Sequence, residues 1–449
     1  MIVECDVLFD GEQVHPHARV IIDQDRITAV ETQQESAPAN GTPLRCRFAM
    51  PGLIDSHAHA FGYKESPPGI APFGPHENVL RLMLYAGVTT VRDMGNSLEA
   101  LRFLQHWTTE AGGPRLYSVG PVLDDLPLAV LVARLVRTEE DACREVDQLV
   151  CAGAFAIKAH RHVAPSLLAA IVSAAHRKDR RVAVQLGATT ALQAIDAGVD
   201  NIEHLIDLLD PQKAALISLT PTEKAILWSQ TDLQAAPLNT LIDKLAERGV
   251  VVCPTLIATR HAILLDEVVT DPYLDYMLPI LPYHRHLKGM RNPIGYTVGK
   301  RYMAHYLAFP SLTKTTRREA EAGLERLQTL LALLHHRGVH LVVGTESPTS
   351  GVTPGFSMPQ EMQLWVQSGV PSLDVLKAAT ARAADAMGLS HLGRIRPGTA
   401  ADMLLLDRDP RDEMMALESP GKQVICRGNL VDRARLKAEM VAKIGQVTQ

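Results

Sequence analysis

The sequence predicts an α/β protein: a (β/α)8 TIM barrel carrying a small β domain built from both ends of the chain. Three observations predict it. Eight short, β-rich apolar runs recur through the middle of the chain, each followed by a helical pattern. The first 50 residues and the stretch beyond Gly393 share a different texture, with alternating apolar runs broken by turn signals. Finally, 449 residues leave room for a barrel of ~250 residues or more and a small companion.

The elements follow in order. DVLFDGEQ, RVIIDQDRITAV and PLRCRFAM read as strands and hairpins, with a tight turn expected at Asp10-Gly11. The eight barrel runs are 50–57, 87–94, 115–122, 154–160, 181–187, 199–205, 249–256 and 339–347. Between them lie helices such as Thr138–Ala152, which opens on a Thr138-x-x-Asp141 capping pattern and stops at Gly153. An open doubly wound sheet is the alternative, but no Gly-rich phosphate loop follows any strand. Two connections are long for a barrel: Ala60–Pro75, and an insertion from about 258 to 315. The latter carries Tyr283, His284, Arg285, His286, Tyr296, Tyr302 and Tyr306, and is long enough to cover the barrel mouth. After Gly393, GRIRPGTAADMLLLDRDP and KQVICRGNLV return to strand texture. The expected division is therefore residues 1–52 plus 390–432 as a composite β domain, 53–389 as the barrel, and 433–449 as a helical tail.

Composition sets limits on the function. Hydrophobic residues at 46% and charged residues at 21% exclude a disordered chain. A net charge of −5, from 45 basic and 50 acidic residues, gives no footprint for nucleic acid or an anionic membrane. The longest apolar run, near Leu126–Val136, is far short of the ~18 residues of a membrane span. The opening MIVECDVLFDGEQ lacks the basic and apolar regions of a signal peptide, and six scattered cysteines form no C-x-x-C pair. The expected location is the cytoplasm, with reduced thiols. The expected partners are a small-molecule substrate and further copies of the chain in a homo-oligomer.

Reactive groups of a β/α barrel gather at the C-terminal ends of its strands. The first strand ends in His57-Ala58-His59, whose imidazoles share one face and make a metal half-site. The pair alone is weak evidence among 18 histidines. The fourth strand ends in Lys158, inside an apolar run where an ammonium group is costly to bury. Lys158 is either a snorkelling or ion-paired lysine, or a neutral one that has captured carbon dioxide as a metal-bridging carbamate. The sixth strand ends in Glu203-His204 and the eighth in Gly344-Thr345-Glu346-Ser347. Each has an unremarkable reading as a satisfied mouth histidine or an exposed acid. Four such coincidences at four strand ends outweigh the separate readings.

With these residues in place the chain resembles the amidohydrolase superfamily, in its imidazolonepropionase-like and prolidase-like branch. The matching text is PGLIDSHAHA, AGVTTVRDMGN, AIK around Lys158, AGVDNIEHL, and ATARAADAMGLSHLGRIRPGTAADMLLLDRDP. The resemblance implies a distorted (β/α)8 barrel with a small β-sandwich domain made from both termini. It also implies that His57, His59, Lys158 and His204 hold one or two divalent metals. Two positions depart from the family: Gln185 stands where strand five has a histidine, and Glu346 where strand eight has an aspartate. His160-Arg161-His162 also replaces a small, Gly-rich turn.

A neutral glutamine oxygen is a poor zinc ligand beside imidazole, so at most one tightly bound divalent ion is expected, zinc by ligand type, or none. Glu346 is expected both to ligate metal and to exchange protons, with Lys158 and His204 as its catalytic partners. A free Lys158 is expected to ion-pair with Glu346. His160, Arg161, His162 and Gln185 are expected to contact substrate, the arginine through bidentate recognition of a carboxylate. His335-His336 falls at the wrong end of the barrel and reads as surface. Metal-dependent hydrolysis of an amide-like bond leads. A diverged enzyme doing metal-free cyclisation, isomerisation or lyase chemistry is the alternative, and a non-catalytic binding protein is the third class.

Overall fold

The computed structural model describes residues 1–32, 42–60, 76–126, 132–209, 219–264, 313–419 and 421–447. The long connection after Ala60 and the tyrosine-bearing part of the insertion lie outside the described residues. The chain opens with β1 (Ile2–Phe9), β2 (Val14–Asp23), β3 (Arg26–Glu31) and β4 (Leu44–Pro51). Strands β1 and β2 form an antiparallel hairpin across the Asp10-Gly11 turn, where Gly11 takes φ +105° and Asp10 Oδ1 accepts from the backbone N–H of Glu12 and Gln13.

Ten strands follow among the described residues: β5 (Leu53–Ala58), β6 (Val88–Asp93), β7 (Arg115–Ser118), β8 (Val122–Asp124), β9 (Ala133–Leu135), β10 (Ile157–Ala159), β11 (Val182–Gln185), β12 (Asn201–Glu203), β13 (Val251–Cys253) and β14 (His340–Leu341), of which β9 is an edge strand paired with β8 alone. They pair in parallel as β5-β6-β7 and as β14-β13-β12-β11-β10-β8-β9. Every residue of β5 and β6 is buried, as expected of strands covered on both faces. The run 115–122, expected as one strand, is broken: β7 pairs with β6, the chain turns at Gly120 (φ +67°), and β8 pairs with β10. This break is the distortion of the barrel. The ring closes between its first and last strands through Ser56 N–H to Val343 O (3.0 Å) and His59 N–H to Ser347 O (2.7 Å). Gly344 permits that closure. A Cβ there would lie 2.5 Å from Cys253 Sγ and 2.7 Å from the His57 backbone nitrogen. The helix Glu139–Cys151 carries the expected capping box of Thr138 and Asp141.

The ends then meet. Strands β15 (Met403–Leu406), β16 (Gln423–Cys426) and β17 (Asn429–Leu430) complete a seven-stranded sheet of order β17-β16-β15-β4-β1-β2-β3. Strand β15 runs antiparallel to β4, with Leu404 opposite Met50. The far edge curls back, since Ile27 N–H reaches Thr399 O and Gly398 N–H reaches Ile27 O. One face of this sheet encloses its own core of Val3, Leu8, Val20, Ile22, Met403 and Leu405. From the other face Phe48, Met50 and Leu404 join the main core between barrel strands and helices. His335, expected as surface, lies 3.5 Å from Asp374.

Candidate active site

Barrel closure brings His57, His59, Lys158, His204 and Glu346 to one rim, at the C-terminal ends of the strands. His57 is the hub. Its Nε2 lies 2.5 Å from Glu346 Oε2 and 3.3 Å from Lys158 Nζ. Its Nδ1 lies 2.7 Å from Glu203 Oε2. His59 Nε2 stands 3.3 Å from the other Glu346 oxygen, and His204 Nε2 3.8 Å from Glu346 Oε2. Lys158 therefore rests against His57, and the expected ion pair with Glu346 gives way to that contact.

Several supporting residues were not singled out from the sequence. Glu203 is fully buried, and its second oxygen takes a 3.1 Å hydrogen bond from Arg92. Asp55 accepts from the Thr345 N–H (3.0 Å) and hydroxyl (2.7 Å), tying the end of the first strand to the last. Thr255 Oγ1 lies 2.8 Å from His204 Nδ1. The signal available in the sequence was charge inside otherwise buried strands: Arg92 in VTTVRD and Glu203 in NIE. His204, Thr255 and Glu346 all adopt positive φ (69°, 49° and 62°), uncommon for residues with a side chain and gathered here at the strand ends.

Electrostatics follow from this packing. Burial raises the Glu203 carboxyl, but Arg92 and His57 outweigh it and bring it down to about 2. Burial likewise opposes ionisation of Glu346, and the His57, His59 and His204 imidazoles hold it well below the usual carboxylate range. His57 is raised: desolvation pulls it down, and the Glu346 and Glu203 carboxylates win. Desolvation lowers Lys158 and takes His204 to about 4. The same cause raises Asp55 to about 6.

The donor set fits a divalent ion. His57, His204 and Glu346 offer two nitrogens and an oxygen within 4.8 Å of one another. With Nδ1–H donated to Glu203, His57 presents a lone pair from Nε2 toward Glu346 Oε2, a buried atom with no hydrogen-bond partner. Two electron-rich atoms this close call for a positive centre, either a proton on His57 or a cation shared by the three side chains. A buried carboxylate behind a ligand histidine also fixes its tautomer and raises its basicity.

The remaining expected residues sit nearby but apart from this trio. Gln185 Nε2 reaches Asp207 Oδ2 at 3.5 Å, and Asp207 is itself paired with Lys224 at 2.5 Å. His160 and His162 both approach Asp124, at 2.6 and 3.0 Å. Burial opposes the Asp124 charge, but hydrogen bonds from the two histidines lower its carboxyl, while desolvation lowers His160. Arg161 keeps a buried Nε without a partner, and its carbonyl accepts from the Ala188 N–H at 2.7 Å.

Comparison with known proteins agrees with this architecture. A family model described as the amidohydrolase family matches residues 48–431. A bottromycin amidohydrolase of known structure superposes with a TM-score of 0.74 at 22% identity, over 99% of this chain and 90% of that one. A Xaa-Pro dipeptidase with methionine bound superposes at 0.68 and 20% identity, over 96% and 99% of the two chains. The ochratoxinase of A. niger superposes at 0.66 and 18% identity, over 96% and 94%. No curated protein sequence matches.

Proposed function

The chain belongs to the amidohydrolase family, and from that premise we propose that it hydrolyses an amide-type C–N bond in a small molecule, cyclic amide or dipeptide-like, with one divalent ion, zinc by ligand type. The observation that carries this reading is the convergence of His57, His204 and Glu346 on one centre, with buried Glu203 behind His57. Names of the structural relatives, a dipeptidase and an amidohydrolase, favour the same bond class.

When bound, the ion supplies Lewis acidity that polarises a carbonyl and brings the pKa of water near neutrality. The chain's own residues do the rest. Glu203, held by Arg92, keeps the proton of His57 on Nδ1 and frees Nε2 as a ligand. Thr255 orients His204 in the same manner. Glu346 is the most open of the trio, with 19% of its side chain exposed against 0% for His57 and 10% for His204. That opening suits it to take a proton from water and pass it to the leaving nitrogen. His59 lies against the Glu346 oxygen that His57 does not touch, and steadies that carboxylate. Burial keeps Lys158 below its ordinary basicity, which favours the neutral amine able to add carbon dioxide. With Gln185 turned to Asp207, strand five supplies no imidazole for a second ion beside it.

No described helix is long and apolar enough to cross a membrane. All six cysteines are unpaired, which supports the cytoplasm as the place of action.

The test is metal-depleted protein assayed against N-acyl amino acids, dipeptides and cyclic amides, with and without one equivalent of zinc, manganese or cobalt. Hydrolysis should appear only with metal and be abolished in His57→Ala. Equal hydrolysis in metal-free and His57→Ala protein would overturn the metal dependence, and conversion of a substrate without addition of water would favour the second reading, non-hydrolytic acid–base chemistry at Glu346 and His204, which the placement of Gln185 supports.

A further inference from the structure

We propose that Asp124, His160 and His162 form a second divalent-metal site, distinct from the centre of His57, His204 and Glu346. The fold builds this cluster deliberately. Strands β8 and β10 pair with Ala159 opposite Leu123, and the His160 N–H bonds Leu123 O at 2.8 Å. The residues that follow the two pairs, Asp124 and His160, therefore emerge side by side. Beyond β10 the chain turns back at once, with Val163 N–H on His160 O at 3.2 Å. The turn is fastened from outside by Ala188 N–H on Arg161 O (2.7 Å) and by the Thr189 hydroxyl on Val163 O (2.7 Å). His162 is thereby folded over Asp124, and its N–H reaches Oδ1 at 3.2 Å.

The result is a preorganised set of donors. One carboxylate oxygen and one nitrogen from each imidazole lie within 4.8 Å of one another. Asp124 has 0% exposure and His160 7%. The rings lie 6.2 Å apart between centroids, tilted by 52° to each other.

Charge separates a metal site from a plain hydrogen-bonded cluster. The Asp124 carboxylate is ringed by two imidazoles and the backbone N–H groups of Asp125 and His162. Among the described residues, no lysine or arginine pairs with it. With both imidazoles neutral, that carboxylate has no counter-charge among the described residues, an expensive state that a proton on one ring or a shared cation relieves. A divalent cation removes that cost, and two nitrogens with one oxygen are the donor set of zinc or cobalt, with room left for water.

The experiment counts metal and does not depend on turnover. Full-length His57→Ala/Glu346→Ala protein, which lacks the first centre, is equilibrated with Co2+ and read by elemental analysis and visible absorption. One equivalent of cobalt should remain. His162→Gln, a half-buried position where a fold defect is least expected, should weaken that binding by more than the roughly 10–100-fold lost with a supporting residue. Asp124→Asn should do the same, with circular dichroism confirming the fold of both. No retained cobalt in the double variant, or retained cobalt indifferent to His162→Gln, overturns the proposal. Either result would leave Asp124 as a shared acceptor of two imidazole N–H groups. Because the first centre is already removed, failure here is distinguishable from failure of the hydrolase reading.

Discussion

At the scale of single residues, Glu203 holds the most leverage outside the ligand trio. It joins Arg92 to His57 entirely within the protein, with no solvent to replace a missing charge. Glu203→Gln keeps the shape but leaves Arg92 buried without its anion, a loss expected to cost ~3–5 kcal/mol of stability. His57 also loses its basic anchor, so metal affinity should fall ~10–100-fold. Urea unfolding and a zinc-competition titration check the two effects separately. Unchanged metal affinity would mean that Glu203 serves stability alone. Strand alternation in NIEHL does not say which of Glu203 and His204 faces the centre and which stands behind it, and only the resemblance of the motif placed His204 there. That assignment depends on where β6 brings Arg92, a contact 111 residues away. His57 and His59 were legible because an i, i+2 pair at a strand end is a local pattern. Their supporting partners were not, because those come from other strands.

At the scale of elements, the helix Leu256–Ile263 begins immediately after Thr255, and its first N–H groups are held by a distant carboxylate. Glu361, on the helix Ser357–Gln367, accepts from Leu256 N–H (3.1 Å), Ile257 N–H (2.6 Å) and the Trp365 indole (2.9 Å). Burial outweighs these bonds and raises the carboxyl to about 7. A raised native value means that the folded protein binds more protons than the unfolded chain between about 4.5 and 7. Stability from this group is therefore present at low pH and is lost as pH rises through that window. The stability difference between wild type and Glu361→Gln should fall by on the order of 3 kcal/mol from pH 5 to pH 8. Urea unfolding at the two values measures it, and a difference that stays flat would refute the assignment. His204, lowered to about 4, has the opposite slope but is common to both proteins and cancels. The barrel's elements were readable from the sequence because apolar runs and caps such as Thr138 are local. The break between β7 and β8 carries a local turn signal in Gly120-Pro121, but only its neighbours decide that pairing changes sides there.

At the scale of the whole molecule, the two ends share one sheet, and we propose that residues 1–52 and 390–432 open and close as one unit. Leu405 is the probe. It lies in β15 opposite Ala49 and packs in the core with Val3, Leu8 and Val20. Leu405→Ala should cost ~2–5 kcal/mol. If the unit is cooperative, hydrogen exchange should accelerate across β1 and β2, far away in sequence, as well as in β15. Acceleration confined to β15 and β16 would show that the N-terminal strands stand independently. The matching texture of the two ends suggested this pairing from the sequence alone, whereas the curl that brings Ile27 to Thr399 depends on twist, which composition does not encode.

The junction of β4 with β15 has a consequence for the order in which the protein is made. The ribosome releases Leu44–Pro51 roughly 350 residues before Met403–Leu406, and at about 5–20 residues per second the interval is tens of seconds. For that time one side of β4 has no partner, and it carries Phe48 and Met50, both wholly enclosed in the finished protein. Arg45 and Arg47 alternate along the exposed first half of this strand, and such charges discourage pairing with other nascent chains. Premature termination anywhere within the barrel would release a chain whose β4 never finds its partner, a ready substrate for chaperones and proteases.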